Sequence, residues 1–258
     1  MKENDCSRRQ FLKRSWTVAA PAVLMLPLTP DPFLAVTAAH PLHVVCVGGH
    51  PDDPESGCSG TLARYVESGH KATIIYLTRG ERGIEGKTNE EAAAIRTAEC
   101  QTACKIIGAR TLFAGQIDGS ADFTRTRVEE MQKILNAENP DVVFTHWPMD
   151  THMDHQAASL CTMRACLALK NRPELYFFEV NSGSQTLGFS PNTYVDISGT
   201  VEKKKAALFA HQSQNGEGIW KNHHEVIANW RGREAGVKAA EAFFRLNRNS
   251  SVAGLPGL

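Results

Sequence analysis

The sequence carries no excess of charge of either sign. Its 28 Lys+Arg balance 28 Asp+Glu over 258 residues. Past the N-terminal segment no dense Lys/Arg block stands out, so no nucleic-acid partner is expected. There is no repeat and no low-complexity tract, and the length suits a single α/β core. Several catalytic signatures are missing as well. No Cys-x-x-Cys pair exists, which argues against a thiolate zinc knuckle. Ser56-Gly57-Cys58-Ser59-Gly60 does not form a Gly-x-Ser-x-Gly elbow. No P-loop is present, and glycines 48, 49, 57 and 60 miss the Gly-x-Gly-x-x-Gly spacing of a dinucleotide site. Cys58 as a nucleophile has only the nearness of His50 in its favour.

What is present begins with a targeting pattern. Ser7-Arg8-Arg9-Gln10-Phe11-Leu12-Lys13 pairs two arginines ahead of an apolar, uncharged stretch over residues 16–28, broken by Pro21 and Pro27. That stretch is shorter than the roughly 20 residues that span a bilayer, which argues against a retained anchor. Small residues follow at Val36-Thr37-Ala38-Ala39. The pattern predicts a twin-arginine export signal over residues 1–39, read by the twin-arginine export machinery and cleaved near Ala38 or Ala39. The mature chain, residues 40–258, is then expected as one domain, exported to the periplasm or beyond. It keeps Cys46, Cys58, Cys100, Cys104, Cys161 and Cys166. Export permits disulfides. Cys46, however, lies in an apolar strand, and Cys100 and Cys104 are one helical turn apart, so most read as small buried apolar residues. No pattern sets an oligomeric state.

Strand and helix alternate over residues 42–170. Buried strands are predicted at 42–47, 71–77, 111–114 and 141–145, and helices at 56–67, 89–107 with Asn89 as cap, 125–138, and from the 146–155 motif to 169. Strands at 175–180 and 193–197 follow. A helix over 202–211 is expected to carry Lys203, Lys204 and Lys205 on its surface. A loop over 212–221 and a mostly helical 225–246 complete the chain, with a frayed tail from Asn247. The alternation predicts an α/β fold, a Rossmann-like three-layer sandwich with a mainly parallel sheet. In such sheets ligands bind at the carboxyl ends of strands.

Two segments sit at such ends. Gly48-Gly49-His50-Pro51-Asp52-Asp53-Pro54-Glu55 follows the first strand, and His146-Trp147-Pro148-Met149-Asp150-Thr151-His152-Met153-Asp154-His155 ends the fourth. Each alone has an ordinary reading, an Asp-rich turn or a polar helix start. Together they can build a metal site. His50, Asp53 and His155 supply two imidazoles and a carboxylate, a good zinc set with a position left open. Asp52 is then a spare carboxylate suited to general-base work. His152 can donate to an oxyanion, and Asp154 can orient an imidazole, with His146 and Asp150 as further supports. Zinc suits this set, although iron, cobalt or manganese also bind mixed His/Asp sites. Arg79, Arg82 and Glu85 lie in a loop at the same edge, as substrate contacts or merely as solvated charge. Trp220 is offered either as a stacking platform or as a loop anchor.

These segments resemble the PIG-L/LmbE-like family of zinc-dependent N-deacetylases. Gly49 to Glu55 match the first family motif and His152 to His155 the second, with weaker likeness at Ala210-His211-Gln212-Ser213-Gln214 and Glu241-Ala242-Phe243. The resemblance implies zinc on His50, Asp53 and His155. It implies Asp52 as general base and His152 as oxyanion stabiliser, assisted by Asp154. The implied substrate is a small N-acyl sugar, often an N-acetylglucosamine derivative, losing acetate by hydrolysis. Pro54 departs from the motif, so Glu55 is held as a possible site residue only. A non-catalytic exported carbohydrate-binding protein on the same scaffold is the alternative, and Asp52 speaks against it. A metal phosphoesterase is a third reading, weakened because only one clear ligand set is present.

Overall fold

The computed structural model describes residues 40–246. The export signal expected over residues 1–39 and the tail from Asn247 lie outside the described residues. The chain runs β1 (His43–Gly48), α1 (Asp53–Glu67), β2 (Lys71–Tyr76), α2 (Asn89–Ile107), β3 (Arg110–Phe113), α3 (Arg125–Glu138), β4 (Val142–His146), α4 (Met153–Ala168), β5 (Glu174–Phe178) and β6 (Thr193–Asp196). Then come α5 (Val201–Phe209), α6 (Gly216–Ile219), α7 (Glu225–Ala235) and β7 (Ala240–Arg245).

The strands form one seven-stranded sheet in the order β3-β2-β1-β4-β5-β7-β6. β3, β2, β1, β4 and β5 pair in parallel, and β7 runs antiparallel between β5 and β6. β1 and β4 are buried along nearly their whole length because helices cover both faces. Side chains alternate accordingly. Val44, Cys46, Ile74 and Tyr76 join the core shared with α1 and α2, while Val45, Val47, Ile75 and Val143 face α3 and α4. The three-layer sandwich and mainly parallel sheet are as the alternation predicted.

The chain leaves β1 toward β2 and β3, then returns to lay β4 on the other side of β1. The strand order therefore reverses between β1 and β4, where a crevice opens at their carboxyl ends. Both sequence motifs lie there.

Several local expectations need correction. The cap of α2 is Thr88, whose side chain accepts the Glu91 N–H, rather than Asn89. Residues 212–221 are not a loop. A 3-10 turn at Gln212–Gln214 leads into α6, and a π-turn at Trp220–His224 joins α6 to α7. The expected helix over 225–246 stops at Gly236, which takes a left-handed conformation, and the segment beyond it becomes β7. Lys204 is not on the surface. It is 2% exposed, and its Nζ lies 2.5 Å from both Glu241 Oε1 and the Ser56 carbonyl. Glu241 also accepts the Gly60 and Thr61 N–H groups at 3.0 and 2.7 Å, so the ion pair is wedged into the hydrogen-bond ladder of α1. The six cysteines among the described residues are buried and lie outside any disulfide, as expected of most of them.

Candidate metal centre and catalytic cavity

The turn after β1 and the first turn of α4 aim three groups at one point. His50 Nδ1 lies 3.2 Å from Asp53 Oδ2, His155 Nε2 lies 3.2 Å from the same oxygen, and the two ring nitrogens are 3.3 Å apart. His50 and Asp53 come from the β1–α1 turn. His155 comes from the first turn of α4, one strand away across the β1–β4 pairing. Gly49 permits this approach, since a Cβ there would lie 2.9 Å from His155 Cδ2.

The far nitrogen of each imidazole is already engaged. His50 Nε2 lies 3.1 Å from Asp154 Oδ2 and 3.2 Å from Asp118 Oδ1. His155 Nδ1 lies 3.2 Å from Asp150 Oδ1. These carboxylates take the N–H of each ring, so the lone pairs of His50 Nδ1 and His155 Nε2 face one another and the Asp53 carboxylate. Three donors in van der Waals contact repel one another unless positive charge, a proton or a metal ion, lies among them. A tetrahedral zinc with bonds of about 2.0–2.1 Å places its ligand atoms about 3.3–3.4 Å apart, close to the triangle observed. The set therefore fits zinc, and the carboxylate–imidazole pairs are the outer supports that metal-binding histidines use. Overlapping groups, Asp53/His146/His155, His50/Asp118/Asp154 and His50/His152/His155, also meet the spacing for a metal. His146 Nε2, however, accepts the Gly49 N–H at 3.0 Å, and His50 Nε2 faces two carboxylates, so neither offers a spare lone pair.

The charges follow from this crowding. Burial lowers the basicity of His50, yet Asp118, Asp154 and Asp53 outweigh it and raise its pKa well above the ordinary imidazole value. His155 behaves alike: burial is overridden by Asp53 and Asp150, and its pKa rises to about 9. A bound cation reverses this preference for protonation. His146 is pushed down to about 4, first by burial and then by His155, so it is neutral. Burial opposes ionisation of Asp118, but His50 overrides it and holds the carboxyl at about 2.

Asp52 sits beside the triad, in the wall of the same cavity. Its backbone is strained, with φ 118°, a region few non-glycine residues occupy. Its N–H donates to Glu55 Oε2 at 3.2 Å, and its Oδ2 lies 3.2 Å from Arg96 Nη2. Burial pushes the Asp52 carboxyl up to about 6 against the pull of Arg96. His152 stacks on His155 with centroids 4.7 Å apart and lines the cavity. Its Nδ1 accepts the Asp154 N–H at 3.2 Å, so the proton of the neutral ring is on Nε2. Burial lowers its pKa first, with His50 and His155 adding to the effect. The Asp154 carboxylate contacts His50 and the Gly119 and Ala121 N–H groups.

The cavity, about 500 Å³, is of small-ligand size. Arg82 lines it, as do Gln185, Gln214 and His223, whereas Arg79 instead lies over the Phe113 ring. Glu85 is exposed and Trp220 is buried, so Trp220 anchors its segment. Glu55 is fully buried behind the site, its Oε1 accepting the Tyr76 hydroxyl at 2.5 Å. Sequence reading missed Asp118 and Arg96. Asp118 follows β3 at the same sheet edge, in an Asp-Gly turn. Arg96 sits on the buried stripe of α2 with Ala92, Ala93, Cys100, Ala103 and Cys104, where a lone cation is out of place.

Fold and site together define an α/β protein with a candidate metal centre at the β1–β4 crevice. Residues 45–166 match the PIG-L family, GlcNAc-PI de-N-acetylase. The chain is 30% identical over 215 residues to a diacetylchitobiose deacetylase of Thermococcus kodakarensis, covering 77% of this chain and 80% of that one. The chain belongs to the PIG-L family. Among solved structures it resembles an N,N'-diacetylchitobiose deacetylase from Pyrococcus horikoshii, with a TM-score of 0.70 and 25% identity over 79% of this chain and 83% of that one. A third relative, 24% identical over 70% of this chain and 76% of its own length, is a 4-oxalmesaconate hydratase of Pseudomonas putida.

Proposed function

We propose that the protein is a zinc-dependent N-deacetylase that hydrolyses the acetamide of an N-acetylated sugar or glycoconjugate. The observation that carries this reading is the triangle of His50 Nδ1, Asp53 Oδ2 and His155 Nε2, with edges of 3.2–3.3 Å, beside the strained Asp52. Those three residues would hold the ion. When bound, it would supply Lewis-acid polarisation of the acyl carbonyl and acidify the attacking water.

The remaining steps belong to the chain. Asp52 accepts the proton of the attacking water, and a carboxyl near 6 is basic enough for that task yet ionised at neutral pH. It then returns a proton to the leaving amine nitrogen. His152 donates from Nε2 to the oxygen that gains charge in the tetrahedral transition state, and it does so without being protonated. Asp118 and Asp154 hold the His50 ring, and Asp150 holds the His155 ring. The polar lining and the deacetylase relatives support a hydroxylated, N-acetylated substrate of sugar size. Nothing in the site favours a non-catalytic carbohydrate binder.

The test is acetate release from a panel that includes N,N'-diacetylchitobiose and N-acetylglucosamine, with the protein as purified, after chelation and after zinc is returned. Release that chelation abolishes and zinc restores is expected. No release from a folded, zinc-loaded protein, together with hydration of an unsaturated carboxylate, would move the protein to the hydratase chemistry of its third relative. We further propose that residues 1–39 act as a twin-arginine export signal. A mature N-terminus near Ala38 or Ala39, lost when Arg8 and Arg9 become Lys, is the expected result, and full-length protein in the cytoplasm contradicts it.

A further inference from the structure

We propose that Arg96 is a positioning residue for Asp52, an inference that rests on the assignment of Asp52 as the base. The Arg96 side chain is 4% exposed and reaches from α2 into the wall of the cavity. Its Nη2 donates to the Pro51 carbonyl at 2.5 Å and lies 3.2 Å from Asp52 Oδ2. One nitrogen therefore touches both the peptide that enters Asp52 and the Asp52 carboxylate.

The grip falls where the backbone needs it. Asp52 is strained at φ 118°, and such a conformation persists only where its surroundings over-determine it. Glu55 holds the Asp52 N–H from one side, and Arg96 holds the preceding carbonyl from the other. The Asp52 carboxylate faces the Glu55 N–H in the capping box of α1 and Arg96 at its Oδ2, and Arg96 is the side chain that pairs with it as a cation.

The loop above has made room for the guanidinium. A Cβ on Gly80 would lie 2.4 Å from Arg96 Nη1, and a Cβ on Gly83 would lie 2.2 Å from it. Gly80 has φ +68°, so its glycine has a backbone reason as well, but Gly83 has none. The close approach of Arg96 accounts for glycine at 83. Gln214 pins the same turn by donating to the Gly83 carbonyl at 2.8 Å. Arg96 thus lies clamped between the Gly80–Gly83 turn and the Pro51–Asp52 turn.

The experiment uses the full chain, zinc-loaded, with N,N'-diacetylchitobiose or whichever panel sugar the wild type hydrolyses. Arg96→Ala is expected to lower kcat about a hundredfold, the size of effect a misplaced reacting group gives, with KM and zinc stoichiometry close to wild type. Added guanidinium ion should restore part of kcat to Arg96→Ala and none to Asp52→Asn. Gly83→Ala should lower kcat while every charge is kept. A crystal structure of Arg96→Ala should show the Asp52 carboxylate swung from its place. Unchanged kcat in Arg96→Ala, a loss that follows only zinc content or folded fraction, or an unmoved Asp52 carboxylate would overturn the proposal. Full turnover by Asp52→Asn would instead remove the reading on which it rests.

Discussion

Replacing Lys204 with Met tests whether the middle of three consecutive lysines is a buried structural group. The Lys204 and Glu241 side chains are 3% and 4% exposed, and their charges are 2.5 Å apart. The substitution leaves Glu241 without its counter-ion and the Ser56 carbonyl without its Lys204 donor. Breaking a buried pair this way costs about 3–5 kcal/mol. Glu241 keeps the Gly60 and Thr61 N–H groups, which argues for the lower end, about 3 kcal/mol. For a domain of this size each kcal/mol moves Tm by about 2–4 °C, giving a fall of roughly 6–12 °C. Lys203 provides the control. It and its partner Glu67 are each 45% exposed, and an exposed pair is worth no more than about 1 kcal/mol. Calorimetry and urea unfolding of the two variants at one pH read the difference. A Lys204→Met protein that unfolds with Lys203→Met and the wild type would refute the reasoning.

Other outcomes follow from the site. Asp52→Asn should lower kcat by about a hundredfold to ten-thousandfold while zinc still binds; steady-state kinetics and metal analysis check this. Because the base works ionised and its carboxyl is raised to about 6, kcat/KM should be level above that pH and fall as pH drops through it, and a pH profile flat to pH 4 would contradict the assignment. His152→Ala should lower kcat about a hundredfold or more through loss of an oxyanion donor, and His152→Gln, which keeps a donor, should lose less. Gly57→Ala should destabilise the protein by about 1–3 kcal/mol, since its Cβ would lie 2.2 Å from Phe178 Cδ2 where α1 packs on β5; chemical denaturation reads it.

The parallel half of the sheet was legible because each of its strands is a short apolar run bounded by turn residues, and the helices between carry clear stops such as Gly108. The motif residues were legible for the same reason: they follow strand ends that the fold brings together. β7 was not. Its Ala-Glu-Ala start favours a helix, and only pairing with β5 and β6, with Phe243 against Phe144, makes it a strand. Lys204 looked like its exposed neighbours because its partner Glu241 is 37 residues away. Glycines 216 and 218 hid α6, although both are helical in the structure. Arg96 and Asp118 reach the site from other elements, and no local spacing ties them to either motif.

The most direct test of the account is anomalous diffraction at the zinc edge from crystals of the zinc-loaded protein. A single peak bonded to His50 Nδ1, Asp53 Oδ2 and His155 Nε2 at about 2.0–2.2 Å is predicted. A peak held by His146, or by His50 Nε2 with Asp118 and Asp154, or no peak at all in loaded crystals, would contradict it.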